Sequence, residues 1–193
     1  MTTRFQDRKQ YLWTMSQRVL VECPHCRSRA IVLRKGPSFT CGSCGYNQRG
    51  TGEGWAGMAK ATVKRKCGRC GRILAKTVRR AAPHPCKLGV TCPGCSYTNY
   101  IPVIWRPDPK NEPCDPHFGY RLWLQTRCVG EILWAYNEEH LAFLRGYVGA
   151  DLREREPNAN ATLASRLPKW LQSAKNRDGV LRAVRRLEAK LAS

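Results

Sequence analysis

The chain has 193 residues, with 34 Lys/Arg against 14 Asp/Glu and a formal net charge of +20. That length suits one domain or two small ones, and so basic a surface favours polyanions, nucleic acid or an anionic membrane, as partners. No run is apolar for long enough to span a bilayer, and Met1-Thr-Thr-Arg-Phe-Gln-Asp-Arg8 lacks the apolar stretch of a signal peptide. A cytoplasmic protein with no membrane association is expected.

The charge is unevenly placed. Residues 1–110 carry 21 Lys/Arg against 4 Asp/Glu, whereas residues 111–193 carry 13 against 10. The positive excess therefore coincides with most of the eleven cysteines. In a reducing compartment, paired Cys-x-x-Cys turns read as metal ligands and not as disulfides.

In chain order, residues 1–20 form a lead-in where Tyr11, Leu12, Trp13 and Met15 suggest a short helix of weak periodicity. Residues 21–48 read as a first zinc ribbon. Cys23-Pro-His-Cys26 is a knuckle, Ala30-Ile-Val-Leu33 is strand-like, Lys35-Gly-Pro37 is a turn, and Cys41-Gly-Ser-Cys44-Gly-Tyr46 is the second knuckle. The 14 residues between Cys26 and Cys41 suit a hairpin joining the two.

Residues 49–63, which include Arg49-Gly-Thr-Gly-Glu-Gly-Trp-Ala-Gly57, are read as a flexible linker, with Trp55 available to tuck against a ribbon. They match no Walker loop or dinucleotide fingerprint.

Residues 64–106 repeat the ribbon pattern with Cys67-Gly-Arg-Cys70 and Cys92-Pro-Gly-Cys95-Ser-Tyr97. Tyrosine follows both second knuckles at the same distance, the mark of an internal repeat. The 21-residue gap holds His84 and Cys86 in a proline-containing loop.

Residues 107–193 are expected to form a β-hairpin and three helices. Strands are expected over 119–126 and 129–136, turning near Cys128 to Gly130. Asn137 caps a helix with Glu138 and Glu139 in its first turn and a stripe of Leu141, Leu144, Val148 and Leu152, ended by Pro157. Thr162 caps a second helix over 163–174, interrupted by Pro168. Asn176 caps a third helix that buries Val180, Leu181, Val184, Leu187 and Leu191, with Arg182, Arg185, Arg186 and Lys190 on the opposite face.

Four thiolates around zinc leave no position for water or substrate, so each site is structural. Its binding energy of about 10–16 kcal/mol is folding energy. The expected ligands are Cys23, Cys26, Cys41 and Cys44, and Cys67, Cys70, Cys92 and Cys95, for two zinc ions. Two pairings are open: sequential along the chain, or a cross-brace that joins the first pair with the third and the second with the fourth.

Cys86 with His84, and Cys114, His117, Cys128 and His140, lack a second knuckle and read as ordinary thiols and imidazoles. Glu138-Glu139-His140 is not a His-Glu-x-x-His helix and no Gly-x-Ser-x-Gly element is present, so a non-enzymatic protein is expected. An enzyme built on Cys128 and His140 stands as a minority reading.

Arg27, Arg29, Arg34, Lys35, Lys64, Arg65, Lys66, Arg69, Arg72, Arg79 and Arg80 cluster beside the knuckles as candidate phosphate contacts. Tyr46, Tyr97 and Tyr100 suit either base stacking or ribbon packing. DNA and RNA are not separated on this basis.

Several strings resemble an uncharacterised bacterial family of transcription-factor-IIB-type zinc-ribbon proteins. They are Leu122-Trp-Leu-Gln-Thr126, Gly130-Glu-Ile-Leu-Trp-Ala-Tyr-Asn-Glu-Glu-His-Leu141, Leu163-Ala-Ser-Arg-Leu-Pro-Lys-Trp170 and Ala174-Lys-Asn-Arg177, together with the knuckles. The resemblance implies a metal-binding shape and no particular activity.

The expectation is a small, metal-stabilised α+β protein that binds nucleic acid through a basic zinc-ribbon surface. The alternative is an adaptor or a subunit of a larger, nucleic-acid-associated complex. In it, a protein partner docks on the C-terminal domain, where Trp123, Trp134 and Trp170 offer an aromatic anchor.

Overall fold

The computed structural model describes residues 3–50, 55, 57–81, 83–108, 112–154 and 162–192. The first stretch contains strand β1 (Arg4–Gln6), helix α1 (Leu12–Met15) and strands β2 (Arg18–Glu22), β3 (Arg29–Leu33), β4 (Ser38–Thr40) and β5 (Asn47–Arg49). Then come β6 (Ala59–Lys66), β7 (Ile73–Arg80), β8 (Lys87–Thr91), β9 (Thr98–Pro102) and β10 (Arg106–Pro107). The last part holds β11 (Leu124–Cys128), β12 (Glu131–Ala135), α2 (Glu138–Gly149), β13 (Leu152–Glu154), α3 (Lys169–Gln172) and α4 (Arg177–Ala192), with 3-10 turns at Ala164–Arg166 and Ala174–Asn176. This is a small α+β protein of short, mostly antiparallel strands.

The chain divides into two compact units. One comprises Met1–Arg49, Pro113–Asp115 and Tyr120–Ser193, and the other Gly50–Glu112 with Pro116–Gly119. The first ribbon and the hairpin-plus-helix region, expected as separate domains, thus share one unit. The reason lies in β2, whose Val19, Leu20 and Val21 are all buried, so that neither face meets water. Its outer edge is hydrogen-bonded by the later chain: Leu20 N–H donates to Tyr136 O, Glu22 N–H to Arg121 O, and Trp123 N–H to Leu20 O.

Within this first unit β2-β3-β4-β5 form one antiparallel sheet. The expected second hairpin is β11–β12, turning at Val129 and Gly130, which both have positive φ, of 52° and 80°. Two left-handed residues make the type I′ turn that matches strand twist, although a β-branched residue is strained in the first of them.

Asn137 caps α2 as expected, its Oδ1 accepting from His140 N at 2.9 Å. Its Nδ2 also donates to Met15 O and Arg18 O, both at 2.8 Å, tying α2 to the end of α1 and the start of β2.

Helix α2 ends at Gly149, so Leu152 is not part of its stripe but lies exposed in β13. The expected stop at Pro157 falls outside the described residues. β13 pairs in parallel with β1, which carries Phe5 edge-on to Phe143 and Tyr147 of α2. The lead-in is thus a strand and a single helical turn, the strand stitched to the one that follows α2.

Thr162 does not open one long helix. It accepts from Ser165 N, and Pro168 separates the 3-10 turn from α3, since a ring in mid-helix removes a donor and clashes with the preceding turn. Helix α4 buries Val180, Ala183, Val184 and Leu187 and packs against α2 and β11, leaving Arg182, Arg185 and Arg186 exposed.

The second unit contains the hairpins β6–β7 and β8–β9, with β10 pairing the base of β6 at Lys60 and Ala59. The expected linker ends sooner than residue 63, because Ala59, Ala61 and Val63 alternate inward with Lys60, Thr62 and Lys64 outward. Val63, Leu74, Val90 and Ile101 fill the core between the hairpins. Trp55 lies against Gly57 and Gly119 and donates Nε1–H to Met58 O at 2.8 Å. Residues 51–54 and 56 of the glycine-rich segment lie outside the described residues.

Candidate metal centres and the basic surface around them

Each knuckle is the turn of its own hairpin: β2–β3, β4–β5, β6–β7 and β8–β9 each close on one Cys-x-x-Cys. All four share one local geometry. The first cysteine's N–H donates to the carbonyl five residues on: Ser28, Tyr46, Arg72 and Tyr97 for Cys23, Cys41, Cys67 and Cys92. The N–H four residues on returns to that cysteine's carbonyl, from Arg27, Gly45, Gly71 and Ser96. Those four residues take positive φ, at 61°, 72°, 74° and 56°. Glycine adopts this backbone without strain; Arg27 and Ser96 are held there by the turn.

The thiols gather as Cys23, Cys26, Cys41 and Cys44, and as Cys67, Cys70, Cys92 and Cys95, with all Sγ atoms of a group within 4.8 Å of one another. Ligand sets therefore run sequentially along the chain, and the cross-brace alternative is not what the fold builds. Separations within the groups include 3.7 Å for Cys23–Cys44, 3.5 Å for Cys26–Cys41, 3.7 Å for Cys67–Cys95 and 3.6 Å for Cys70–Cys92. A disulfide requires about 2.05 Å. A tetrahedron with metal–sulfur bonds of about 2.3 Å has edges of about 3.8 Å. The donor sets fit a tetrahedral metal ion and are compatible with zinc.

Electrostatics point the same way. Hydrogen bonding to Ser28, first through its hydroxyl and then its backbone, lowers the Cys26 thiol to about 6. The backbone amides of Cys70 and then Arg69 lower Cys67 to about 6. The Tyr46 amide also pulls Cys44 down, but burial and the neighbouring Cys26, Cys41 and Cys23 sulfurs outweigh it and push that thiol up to about 12. At Cys95 the Tyr97 amide is likewise overridden, by burial and by the Cys70, Cys67 and Cys92 sulfurs, giving about 11. Four thiolates at this spacing repel one another unless a cation sits between them.

Support around the two centres differs. Asn99 is buried on the inward side of β9; its Oδ1 accepts from Gly68 N at 2.9 Å, and its Nδ2 lies 3.5 Å from Cys67 Sγ, 3.4 Å from Val90 O and 3.2 Å from Tyr97 O. In the first ribbon the matching position is Gln48, whose Oε1 accepts from the hydroxyls of Tyr46 and Tyr120. There the knuckles are joined instead by His25 stacked on Tyr46, with ring centroids 3.9 Å apart. Asn99 escaped the sequence reading, although an inward polar residue beside a knuckle strand was a usable signal.

The remaining cysteines and histidines do not assemble into a further centre; among the described residues only the two groups above form metal-ligand clusters. His84 Nε2 is 3.2 Å from Arg80 O and its ring lies against Trp105. Burial raises the Cys114 and Cys128 thiols. His140 accepts Tyr136 N–H at Nδ1 (3.2 Å), and burial lowers it to about 4. Trp134 is packed against Tyr136 and His140, Trp123 lies under Lys190, and all three rings, Trp170 included, are half-buried.

The candidate phosphate contacts separate into groups. Arg29 donates to Leu191 O at 2.9 Å, and Arg34 to Trp13 O and Ser16 Oγ, so both guanidinium groups serve packing within the first unit. Arg79 pairs with Asp108 at 2.6 Å, and Lys60 with the same carboxylate at 3.5 Å. Arg27, Lys35, Lys64, Arg65, Lys66, Arg69, Arg72 and Arg80 are exposed. Arg72 lies over Gly94, where a Cβ would sit 3.0 Å from its Nε. Tyr97 and Tyr100 are exposed, at 48% and 75%, and Tyr46 is half-buried.

Comparison with family models, with characterised proteins and with solved structures finds no match. No helix among the described residues is long and apolar enough to cross a membrane.

Proposed function

We propose that this is a cytoplasmic, non-enzymatic zinc protein of the zinc-ribbon type that binds nucleic acid through the basic surface of its second ribbon. Both metal centres hold structural zinc: four cysteines per ion fill the coordination shell, and the reward for binding is folding.

One observation carries the nucleic-acid reading. Strands β6 and β7 flank the third knuckle and contain Lys60, Lys64, Arg65, Lys66, Lys76, Arg79 and Arg80, all exposed, with no acidic residue in either strand. Asp108 pairs with two of these cations, Lys60 and Arg79, and offsets one unit of charge. Part of the knuckle-side charge also has a local use, since zinc with four thiolates is a dianion that Lys66, Arg69 and Arg72 help to balance. Lys64, Lys76 and Arg80 lie further along the strands, where that explanation weakens.

The test is binding of zinc-loaded protein to a mixed-sequence oligonucleotide across a salt series. Affinity should fall with a log–log slope near −0.9 per phosphate contact on a duplex. It should collapse when a chelator strips the metal. No binding at low salt with two zinc ions per chain would reject the proposal.

A further inference from the structure

We infer that the β6–β7 hairpin is a groove-entering ribbon for double-stranded B-form DNA, laid with its outer face against the major groove. This rests on the nucleic-acid reading above and specifies its partner and its contact element.

The outer face is defined by register. Lys60 is opposite Arg79, Thr62 opposite Thr77, Lys64 opposite Ala75 and Lys66 opposite Ile73. All eight are exposed, and the two threonine hydroxyls meet at 3.3 Å. The other face sends Ala61, Val63 and Leu74 into the core, although Arg65, Lys76 and Arg80, which share its register, are exposed. β10 reaches only the base, at Ala59 and Lys60, so from Ala61 onward the element is two strands wide. Each strand has 8 residues, and the part of β6 beyond β10, residues 61–66, is about 20 Å long at the usual rise, or roughly six base pairs of B-DNA.

The shape and chemistry of this face select among nucleic acids. A two-stranded ribbon fits the B-form major groove, which is about 12 Å wide, and strands are an established reading element there. The A-form major groove is too deep and narrow for such entry. Single strands are gripped largely by aromatic platforms. Residues 59–80 contain no Phe, Tyr or Trp. What the face offers instead is lysine for phosphates and guanine edges, threonine hydroxyls for donors and acceptors on base edges, and Ala75 small enough to allow close approach. Lys64 and Lys66 have no acidic partner among the described residues, whereas Lys60 and Arg79 share Asp108; Lys64, further from the thiolates than Lys66, is the least compensated cation of this face.

The test uses the full chain with two zinc ions bound. Affinity is measured for a 20-base-pair DNA duplex, one of its strands, and an RNA duplex of the same sequence. The DNA duplex should bind most tightly. Glucosylated hydroxymethylcytosine, which fills the major groove, should weaken binding at least about tenfold, whereas the minor-groove ligand netropsin should not compete.

Lys64→Gln/Lys66→Gln, checked for unchanged zinc content, should reduce the salt slope by about 1.8 and affinity at 100 mM salt roughly 60-fold. Arg182→Gln/Arg185→Gln on α4 removes the same charge and should change affinity less than about threefold. Preference for the single strand or the RNA duplex, indifference to the filled groove, or equal effects of the two variants would overturn the groove assignment while leaving nucleic-acid binding intact. Absence of binding to all three ligands would remove both.

Discussion

Replacing Asn99 by alanine should loosen one metal centre and leave the other alone. The side chain joins both knuckles of the second ribbon: Oδ1 holds Gly68 N at 2.9 Å, and Nδ2 lies within 3.5 Å of Cys67 Sγ, Val90 O and Tyr97 O. Truncation removes a donor to a ligand sulfur and a clamp between the two turns. Partners of this kind around metal ligands are worth 10- to 100-fold in affinity, about 1.4–2.8 kcal/mol. Gly68 is exposed and water can replace that one bond, which favours the lower half of the range. Gln48, at the matching place in the first ribbon, bonds tyrosine hydroxyls and not sulfur, so the first centre serves as an internal reference. With the protein loaded with zinc, competition with a chromogenic chelator should resolve the two centres as separate release steps. In Asn99→Ala one step should move to weaker affinity and the other should stay. Two unmoved steps, or two that move together, would refute the clamp.

Three further outcomes concern the first unit. His140 is buried and neutral, lowered from 6.5 to about 4, so the unfolded chain takes up a proton that the folded one refuses. Its stabilising contribution is complete above about pH 6.5 and is lost progressively as pH falls toward 4, by roughly 3 kcal/mol in all and about 2 kcal/mol between pH 7.5 and 5. Urea unfolding with excess zinc should show that part of the pH dependence missing from His140→Asn; identical pH dependence would contradict it. Asn137→Ala removes a helix cap and leaves Met15 O and Arg18 O without their donor, and should cost about 2–3 kcal/mol. A loss under about 1 kcal/mol in the same assay would argue against that junction. Val129→Asn relieves a β-branched residue at φ 52° and should raise stability by about 0.5–1 kcal/mol, with unchanged or lowered stability as the opposing result.

Local signals were readable where chemistry depends on near neighbours. The four Cys-x-x-Cys turns, the Asn137 cap, the turn near Gly130 and the break at Pro168 each rest on contacts within a few residues. The strand β6 was hidden because its inward residues at 59 and 61 are alanines, whose small side chains give little hydrophobic contrast beside a glycine-rich stretch. The pairing of β1 with β13 was invisible because Arg4 and Leu152 are brought together by contacts distant in sequence, the packing of Phe5 onto Phe143 and Tyr147 and the hydrogen bonds of Thr3 to Gly149 and Asp151.

The basic side chains show the same division. Composition placed them beside the knuckles. Only the fold turned Arg29 and Arg34 toward backbone carbonyls and set Arg79 against Asp108. Cysteine spacing by itself determined that two thiolate clusters would form, because a short loop between two ligands fixes their separation whatever surrounds it. Which knuckles share an ion, which cations remain exposed, and how Asn99 comes to brace Cys67 were decided by tertiary structure, since these depend on strand register and on residues distant in the chain.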